Sequence, residues 1–289
     1  GKTYYQQRDA ATALPDLDEA IKLDPQVGSY WLYRGMCHYA LGDNQAALSD
    51  QNQAIELEPE GLDAYVERAQ IRRSMGKLSL AIADWTKAIE LAPENSLYRF
   101  ERAVTYLETG NGDAALVDFD AAIRLNPEDP APYAERAGFY HGSGAYDLSI
   151  ADWTKAIEID PNYSFYAGRA WAHYDNSDLD LAFSDITMAS QLNPFNADYW
   201  HTRGRWYYEQ GNYEAALDDL NKAIGRDPRP WGYLDESLAY SDRAATFAQL
   251  GQVAEARADY EKFLELTEGD ARYADQRMEA EAWLQENPE

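Results

Sequence analysis

Cysteine and basic side chains are scarce in this chain. A single cysteine, Cys37, excludes a disulfide bond within the chain and is interpreted as a small packed residue. The 25 basic residues are outnumbered by 51 acidic ones, and the formal charge is −26. This charge argues against binding to nucleic acid or to an anionic membrane, and it favours a soluble protein with basic or neutral partners. No long apolar run is present, so the sequence predicts no transmembrane helix.

Strong motifs for catalysis or metal binding are also missing. The sequence GNGDAA at 110–115 has the loose form of a dinucleotide loop, but no strand precedes it and it fits a turn between helices. The aspartates at 175–180 lack the glycine and the distal glutamate of a calcium-binding loop. We therefore predict no catalytic residue, no metal site and no cofactor, and we expect that the chain is not an enzyme.

What the sequence has instead is a proline that returns with a period of 34 or 33 residues. A fixed period of this length is typical of a repeat array, in which small units stack side by side. The periodic prolines are Pro25, Pro59, Pro93, Pro127, Pro161, Pro194 and Pro228.

One repeat can be numbered so that this proline is position 32. Apolar residues at helical spacing fall at positions 1–14 and 18–31, which predicts two helices in each repeat and no β-strand. Small residues at positions 8 and 20 allow the two helices to approach closely. A glycine at position 15 suits a turn with left-handed backbone between them. This glycine is found as Gly42, Gly76, Gly110, Gly144, Gly211 and Gly251.

The recurring residues resemble the tetratricopeptide repeat. They are an aromatic residue at positions 4 and 11, a small one at positions 8, 20 and 27, a bulky one at position 24 and the proline at position 32. The resemblance implies an all-α fold, a right-handed superhelical solenoid of antiparallel helix pairs. It also implies that the first helices line a concave groove, which usually binds protein segments.

The pattern covers nearly the whole chain as one domain. We assign 1–27 to a partial first repeat, 28–270 to seven repeats with an insertion at 231–236, and 271–289 to a capping helix. Pro15 is expected to disturb the second helix of the partial repeat. Because the first repeat lacks half of its first helix, a longer chain and a signal peptide stay open. The single cysteine is compatible with a reducing compartment, and a cytoplasmic location is slightly favoured.

Two charged positions recur throughout the array. Position 7, where leucine is usual in the family, is arginine, and position 23 is aspartate, which indicates pairs between a forked guanidinium and a carboxylate. Arg34 can pair with Asp50 of its own repeat or with Asp16 of the preceding one. Because the capping helix keeps Arg277 and has no second helix after it, we predict pairing between repeats, with Asp259 as the partner of Arg277.

In the family, the groove is lined by positions 2, 5, 9, 12 and 13 of the first helices. On this chain these positions are rich in aromatic and apolar residues, which marks a binding surface. Ala134, Gly138 and Gly142 leave room for a bulky side chain in the middle. An alternative is that some of the aromatic residues pack between neighbouring first helices. The candidate binding residues are Met36, Tyr39, Phe100, Val104, Leu107, His141, Trp171, Tyr174, His201, Arg205 and Tyr208.

The favoured function is a non-catalytic scaffold that binds an extended or helical segment of a protein partner in this groove. Acidic residues outnumber basic ones there, so we expect a segment that is basic or neutral with apolar anchors. The lysine and asparagine set with which some family members hold the C-terminal carboxylate of chaperones does not occur, which argues against that ligand class. Two alternatives stay open, namely self-assembly into a homo-oligomer and a role as the docking or regulatory portion of a larger enzyme.

Overall fold

The computed structural model of the chain describes residues 2–224 and 236–288. Every regular element in these residues is helical, as the periodicity predicts, and no strand occurs among them. The chain divides into two compact units, Gly1–Phe139 and Tyr140–Glu289. None of the described helices is long and apolar enough to cross a lipid bilayer.

The first unit contains seven helices and most of an eighth. They are α1 (Lys2–Leu23), α2 (Gly28–Ala40), α3 (Asn44–Leu57), α4 (Leu62–Ser74), α5 (Leu78–Leu91), α6 (Ser96–Glu108), α7 (Gly112–Leu125) and α8 (Pro130–Gly142). Within a repeat, α2 packs on α3, α4 on α5 and α6 on α7. Second helices also pack on the first helix of the next repeat, α3 on α4 and α5 on α6.

The second unit repeats this arrangement with α10 on α11, α12 on α13 and α14 on α15, and α16 then packs on α15. A short 3₁₀ turn, Ala271–Tyr273, leads into α16. The helices are α9 (Tyr146–Ile159), α10 (Tyr163–Asp175), α11 (Leu179–Leu192), α12 (Ala197–Glu209), α13 (Tyr213–Ala223), α14 (Glu236–Gln249), α15 (Val253–Leu266) and α16 (Ala274–Glu286).

Position 15 of the repeat has left-handed backbone, as predicted. All six glycines at this position have φ between +70° and +87°. In the first complete repeat, the N–H of Gly42 donates to the carbonyl of Tyr39 and the N–H of Asp43 donates to that of His38. The Asp43 carboxylate then accepts from the N–H of Ala46 and caps α3. The turn thereby closes one helix and starts the next.

The repeat that lacks this glycine has a serine in the same conformation. Ser177 has φ of +67° and is the only non-glycine residue with positive φ in the described part of the chain. Left-handed backbone costs such a residue roughly 1–2 kcal/mol. We expect Ser177→Gly to raise the free energy of unfolding by about 0.5–1 kcal/mol, because the strain relieved exceeds the entropy that glycine adds to the unfolded chain. Urea denaturation measures the change.

The matched control for this prediction is Ser143→Gly in the neighbouring turn. Ser143 does not have positive φ, and its Oγ donates to the carbonyl of Tyr140. The same substitution should therefore lower the free energy of unfolding there. A Ser177→Gly variant that is no more stable than the wild type would contradict the strain at this turn.

Small residues at positions 8 and 20 bring the two helices of a repeat together, as predicted. In the first unit, Ala103 and Ala115 are fully buried and pack with Phe119. In the second unit, the same two positions are occupied by Ala170 and Ala182, which are also fully buried. Full burial of a side chain as large as phenylalanine stabilises the fold by roughly 1.5–3 kcal/mol.

The arginine and aspartate pairs form within repeats, and the predicted pairing between repeats is wrong. Arg102 donates from Nε and Nη2 to Oδ2 and Oδ1 of Asp118, at 2.7 and 2.8 Å, whereas Asp84 accepts from Arg68. Positions 7 and 23 are equally far from the turn at position 15, so they lie level on two antiparallel helices. We call these pairs the Arg–Asp ladder. Its other members are Arg34–Asp50, Arg68–Asp84, Arg169–Asp185, Arg203–Asp219 and Arg243–Asp259.

The contact between repeats is made by the third donor of each arginine. Nη1 of Arg102 donates to Oγ1 of Thr86 at 2.9 Å, on the second helix of the preceding repeat. Thr86 is at position 25. In every repeat where this bond is described, the residue at position 25 accepts it through a side-chain oxygen. One guanidinium therefore fixes both its own helix pair and the contact with the previous one. The other pairs of this kind are Arg34–Asp18, Arg68–Asn52, Arg136–Asp120, Arg169–Thr154, Arg203–Thr187 and Arg243–Asn221.

Arg277, whose presence suggested the wrong pairing, has other partners. Its Nη1 donates to the carbonyl of Leu264 at 2.6 Å and to Oγ1 of Thr267 at 3.0 Å. Asp259 is occupied by Arg243. The arginine of α16 therefore holds the C-terminal end of α15, where carbonyl groups lack partners within the helix.

The partial first repeat does not have the predicted structure, whereas the predicted C-terminal helix is present. α1 runs from Lys2 to Leu23 without a break and includes Pro15, where a disturbed helix was expected. A proline removes one backbone hydrogen bond, and here that loss does not end the helix. The helical segment predicted at the C-terminus is present as the 3₁₀ turn and α16. Residues 231–235 of the predicted insertion lie outside the described residues, and Glu236 begins α14.

Candidate partner-binding face

The candidate residues lie on the first helices, and we call positions 2, 5, 9, 12 and 13 of these helices the first-helix face. In the first unit, Arg73 of α4 donates from Nη1 to Oε2 of Glu101 at 2.8 Å and from Nε to Oε1 of Glu108 at 2.7 Å. Both glutamates belong to α6. A cavity of about 420 Å³ opens beside this cluster. Its lining consists of Tyr39, Gln70, Arg73, Ser74, Glu101 and Glu108.

Three candidate residues of α6 belong to the first-helix face and also pack against the core. Phe100, Val104 and Leu107 pack against the buried cluster around Phe119, and the Phe100 and Phe119 ring centroids are 6.2 Å apart. Met36 on α2 is 39% exposed. Met36 is therefore free to contact a partner, whereas the apolar residues of α6 also stabilise their own repeat.

Aromatic rings dominate the first-helix face of the second unit. Tyr174 stacks on Trp206 with ring centroids 4.3 Å apart, and Trp171 meets Trp206 edge-on at 5.1 Å. Trp206 is buried, whereas Trp171 is 41% exposed. Tyr174 donates to Glu209, and burial, followed by this hydrogen bond, raises the pKa of Tyr174 to about 12. Packing on the buried ring thus holds Trp171 in place while part of its indole remains open.

Both candidate histidines meet an aspartate on the next first helix. His141 Nε2 lies 2.8 Å from Oδ2 of Asp175, and His201 Nε2 lies 2.7 Å from Oδ2 of Asp242. These contacts connect α8 with α10 and α12 with α14. The two histidines therefore connect neighbouring repeats on the surface where they were predicted to bind a ligand.

Arg205 is the most exposed of the charged candidate residues, and Tyr208 is half-buried. The Arg205 side chain is 60% exposed, and its Nε lies 3.3 Å from Oε1 of Glu209. An ion pair this exposed contributes roughly 1 kcal/mol or less, so Arg205 can turn toward a ligand. The Tyr208 ring lies 5.5 Å from that of Tyr213.

Sequence reasoning missed the carboxylates that connect the first helices. A donor at position 12 meets a carboxylate at position 13 of the next repeat in three places, at separations of 35, 34 and 35 residues. The sequence does show a polar residue followed one period later by an acidic one. Because the chain has many other acidic residues, this pattern could not be distinguished from chance. The three pairs are Arg73–Glu108, His141–Asp175 and Tyr174–Glu209.

The weak motifs of the sequence are explained by the fold. Residues 110–115 form a turn and the start of α7, where the Asn111 side chain accepts from the N–H of Ala114. His173 is buried and lies 3.5 Å from Asp178 and 4.0 Å from Asp185, so it belongs to the packing of its repeat. In the described part of the chain, no group of three or more His, Cys, Asp or Glu side chains is arranged to hold a metal ion.

Family models match most of the repeats found by periodicity. Those described as tetratricopeptide repeat match residues 1–62, 66–130, 197–230 and 233–270. Curated relatives match a shorter part of the chain. Hsp70-Hsp90 organizing protein of Triticum aestivum is 30% identical over 90 residues, which are 31% of this chain and 14% of that protein. Protein SGT1 homolog of Oryza sativa subsp. japonica is 30% identical over 105 residues, 36% of this chain and 27% of that protein.

Solved structures resemble the chain over longer stretches. A tetratricopeptide repeat protein from Parabacteroides merdae has a TM-score of 0.64 at 19% identity, and the match covers 89% of this chain and 99% of that one. YrrB, described as a TPR protein with an unusual peptide-binding site, has a TM-score of 0.52 at 16% identity, with 62% of this chain and 92% of that one covered. Periodicity, fold and family models agree, and the chain belongs to the tetratricopeptide repeat family.

Proposed function

We propose that the chain is a non-catalytic scaffold whose first-helix face binds a segment of a protein partner. The observation that carries this proposal is Trp171, an indole that is 41% exposed and is held by the buried Trp206. Large aromatic rings fixed in place and open to solvent on one side are typical anchors of protein interfaces. Met36 offers a second exposed apolar contact on the same face of the first unit.

The relatives support a role in protein binding. One curated relative is named for organizing Hsp70 and Hsp90, and one similar structure is described by its peptide-binding site. The chain spans less than a third of the length of the curated relatives, so their partners do not carry over. What they support is the class of function, in which helical repeats present a surface to another protein.

The charge of the first-helix face favours a basic or neutral segment with apolar anchors. Its two arginines, Arg73 and Arg205, both lie against glutamates of the chain itself. The acidic side chains are therefore in excess, and the chain as a whole has a formal charge of −26. The acidic residues of the face are Asp63, Glu108, Asp175, Asp198 and Glu209.

Raising the salt concentration should slow the association with such a partner. Screening shortens the reach of the acidic surface, because the Debye length falls from about 10 Å at 0.1 M salt to about 3 Å at 1 M. We expect the association rate to fall and the dissociation rate to change less, as stopped-flow fluorescence can measure. A partner segment of strong negative charge that binds well at low salt would contradict this prediction.

The test of the proposed function is affinity capture with the wild type and with a Trp171→Ala and Tyr208→Ala variant. A partner should be retained by the wild type and lost from the variant, and truncation of the partner should map its binding to one short segment. Equal capture by both proteins would overturn the proposal. Light scattering over a concentration series distinguishes self-assembly, in which mass would rise with concentration in the absence of any partner.

A further inference from the structure

A second polar cavity lies where α12, α14, α15 and α16 meet. Its volume is about 260 Å³, which is below the roughly 300–1,000 Å³ of typical small-molecule pockets and suits one long side chain. The carboxylates in its wall are Asp242 and Glu279. The full lining is His201, Arg205, Leu238, Ser241, Asp242, Ala245, Tyr260, Gln276 and Glu279.

The cavity of the first unit shows what such carboxylates hold in this chain. There, Arg73 at position 12 donates to Glu101 at position 6 of the next repeat, at 2.8 Å. Asp242 is at position 6 of its own repeat, and position 12 of the preceding one is Tyr208, which carries no positive charge. Among the described residues of the second unit, no arginine or lysine pairs with Asp242. Its partner is His201, whose Nε2 lies 2.7 Å from Oδ2, so the place that the arginine fills in the first unit has no guanidinium or ammonium group here.

The other groups in the wall agree with a cation as the occupant. Within the described residues, Glu279 has no hydrogen bond or ion pair, and the one arginine of the lining, Arg205, extends to Glu209. Burial, then the neighbouring Tyr208, Glu279 and Asp242, raise the pKa of Tyr260 to about 12. Burial is the largest cause of this shift, and the two carboxylates beside the ring add to it. The Tyr260 ring, Leu238 and Ala245 provide an apolar wall for an alkyl stem.

We propose that this cavity receives the side chain of a lysine or arginine from the partner segment, with the charged end at Asp242 and Glu279 and the stem against Tyr260. This inference rests on the proposed function, because the basic residue belongs to the segment that the first-helix face binds. It goes further in assigning one anchor of that segment to one site at the C-terminal end of the array.

The experiment is a selection of random phage-displayed peptides on the wild type, followed by anisotropy titrations of the synthesised binders. The binders should share a lysine or arginine at a fixed position. Its replacement by glutamine should weaken binding to the wild type by roughly tenfold or more. The same replacement should weaken binding to the Glu279→Gln variant by much less. The peptide change and Glu279→Gln each remove the same interaction, the one between the basic residue and Glu279.

Glu286→Gln is the matched control, because it removes the same charge from the exposed surface of the same helix and should bind as the wild type does. Glu279 is also exposed, so its variant should keep the circular dichroism spectrum of the wild type. Binders without a shared basic residue, or equal losses on the wild type and Glu279→Gln, would overturn the cavity proposal. If peptides without a shared basic residue still lose affinity on the Trp171→Ala variant, the proposed function holds and only the cavity proposal fails. If the wild type selects no peptide, both proposals fail.

Discussion

Replacing Asp118 with asparagine is expected to lower the free energy of unfolding by about 3 kcal/mol. Asp118 is 2% exposed and accepts two hydrogen bonds from Arg102, whose third donor is held by Thr86. An amide in its place would turn an NH₂ group toward the guanidinium and leave a half-buried cation without its counter-charge. Chemical denaturation followed by circular dichroism measures the loss.

Two further variants test whether the ion pair is the cause. Glu128→Gln removes the same charge from an exposed turn and should change the free energy of unfolding by less than about 0.5 kcal/mol. Adding Arg102→Met to Asp118→Asn should cost clearly less than the sum of the two single changes, because both remove one interaction. A loss below about 1 kcal/mol for Asp118→Asn, as for a surface ion pair, would show that the Arg–Asp ladder does not stabilise the stack.

The Trp171→Ala and Tyr208→Ala variant is expected to bind its partner segment more weakly by more than about 2 kcal/mol, or roughly thirtyfold. The exposed part of the Trp171 indole can be covered by a ligand, while Trp206 beneath it remains buried. Alanine would remove the contact area and leave a depression that the segment cannot fill. Titration calorimetry with the isolated partner segment measures the change.

The fold should survive this double change, because neither residue is one of the small buried contacts between helices. The matched control is Leu148→Ala with Leu181→Ala, two exposed apolar residues on second helices, 53% and 54% exposed. That variant should bind as the wild type does. If it loses as much affinity as the Trp171 and Tyr208 variant, the partner binds the second helices.

The helices and turns of this protein could be predicted from its sequence because each is set by local residues. Glycine at position 15 relieves the left-handed backbone of the turn, and the ends of α2 to α12 were predicted to within about a residue. The prediction failed at α1, which continues through the expected turn. Where the glycine is missing, Ser177 adopts the same φ, which shows that the paired helices impose the turn. The small residues at positions 8 and 20 likewise predicted which surfaces are buried, since only small side chains allow close contact.

The candidate face could be predicted only in part. The position of Trp171 on a first helix follows from the repeat, and its exposure agrees with a binding role. The partners of His141, Tyr174 and His201 could not be predicted, because every acidic residue one period away is a possible acceptor. Which carboxylate is used depends on how far one first helix lies from the next, and that distance is set by the packing of whole repeats.

The sequence by itself determined that the chain is an array of helix pairs with an arginine and an aspartate in each. Only the tertiary structure decided how those charges pair. A periodic sequence offers Arg34 both Asp50 and Asp16 at separations that recur in every repeat. Antiparallel packing about the turn places Asp50 level with Arg34, and the two side chains pair. In the previous repeat, Arg34 bonds to Asp18 and not to Asp16. Periodicity fixes which residues recur, whereas the choice between equally spaced partners depends on distances in the folded stack.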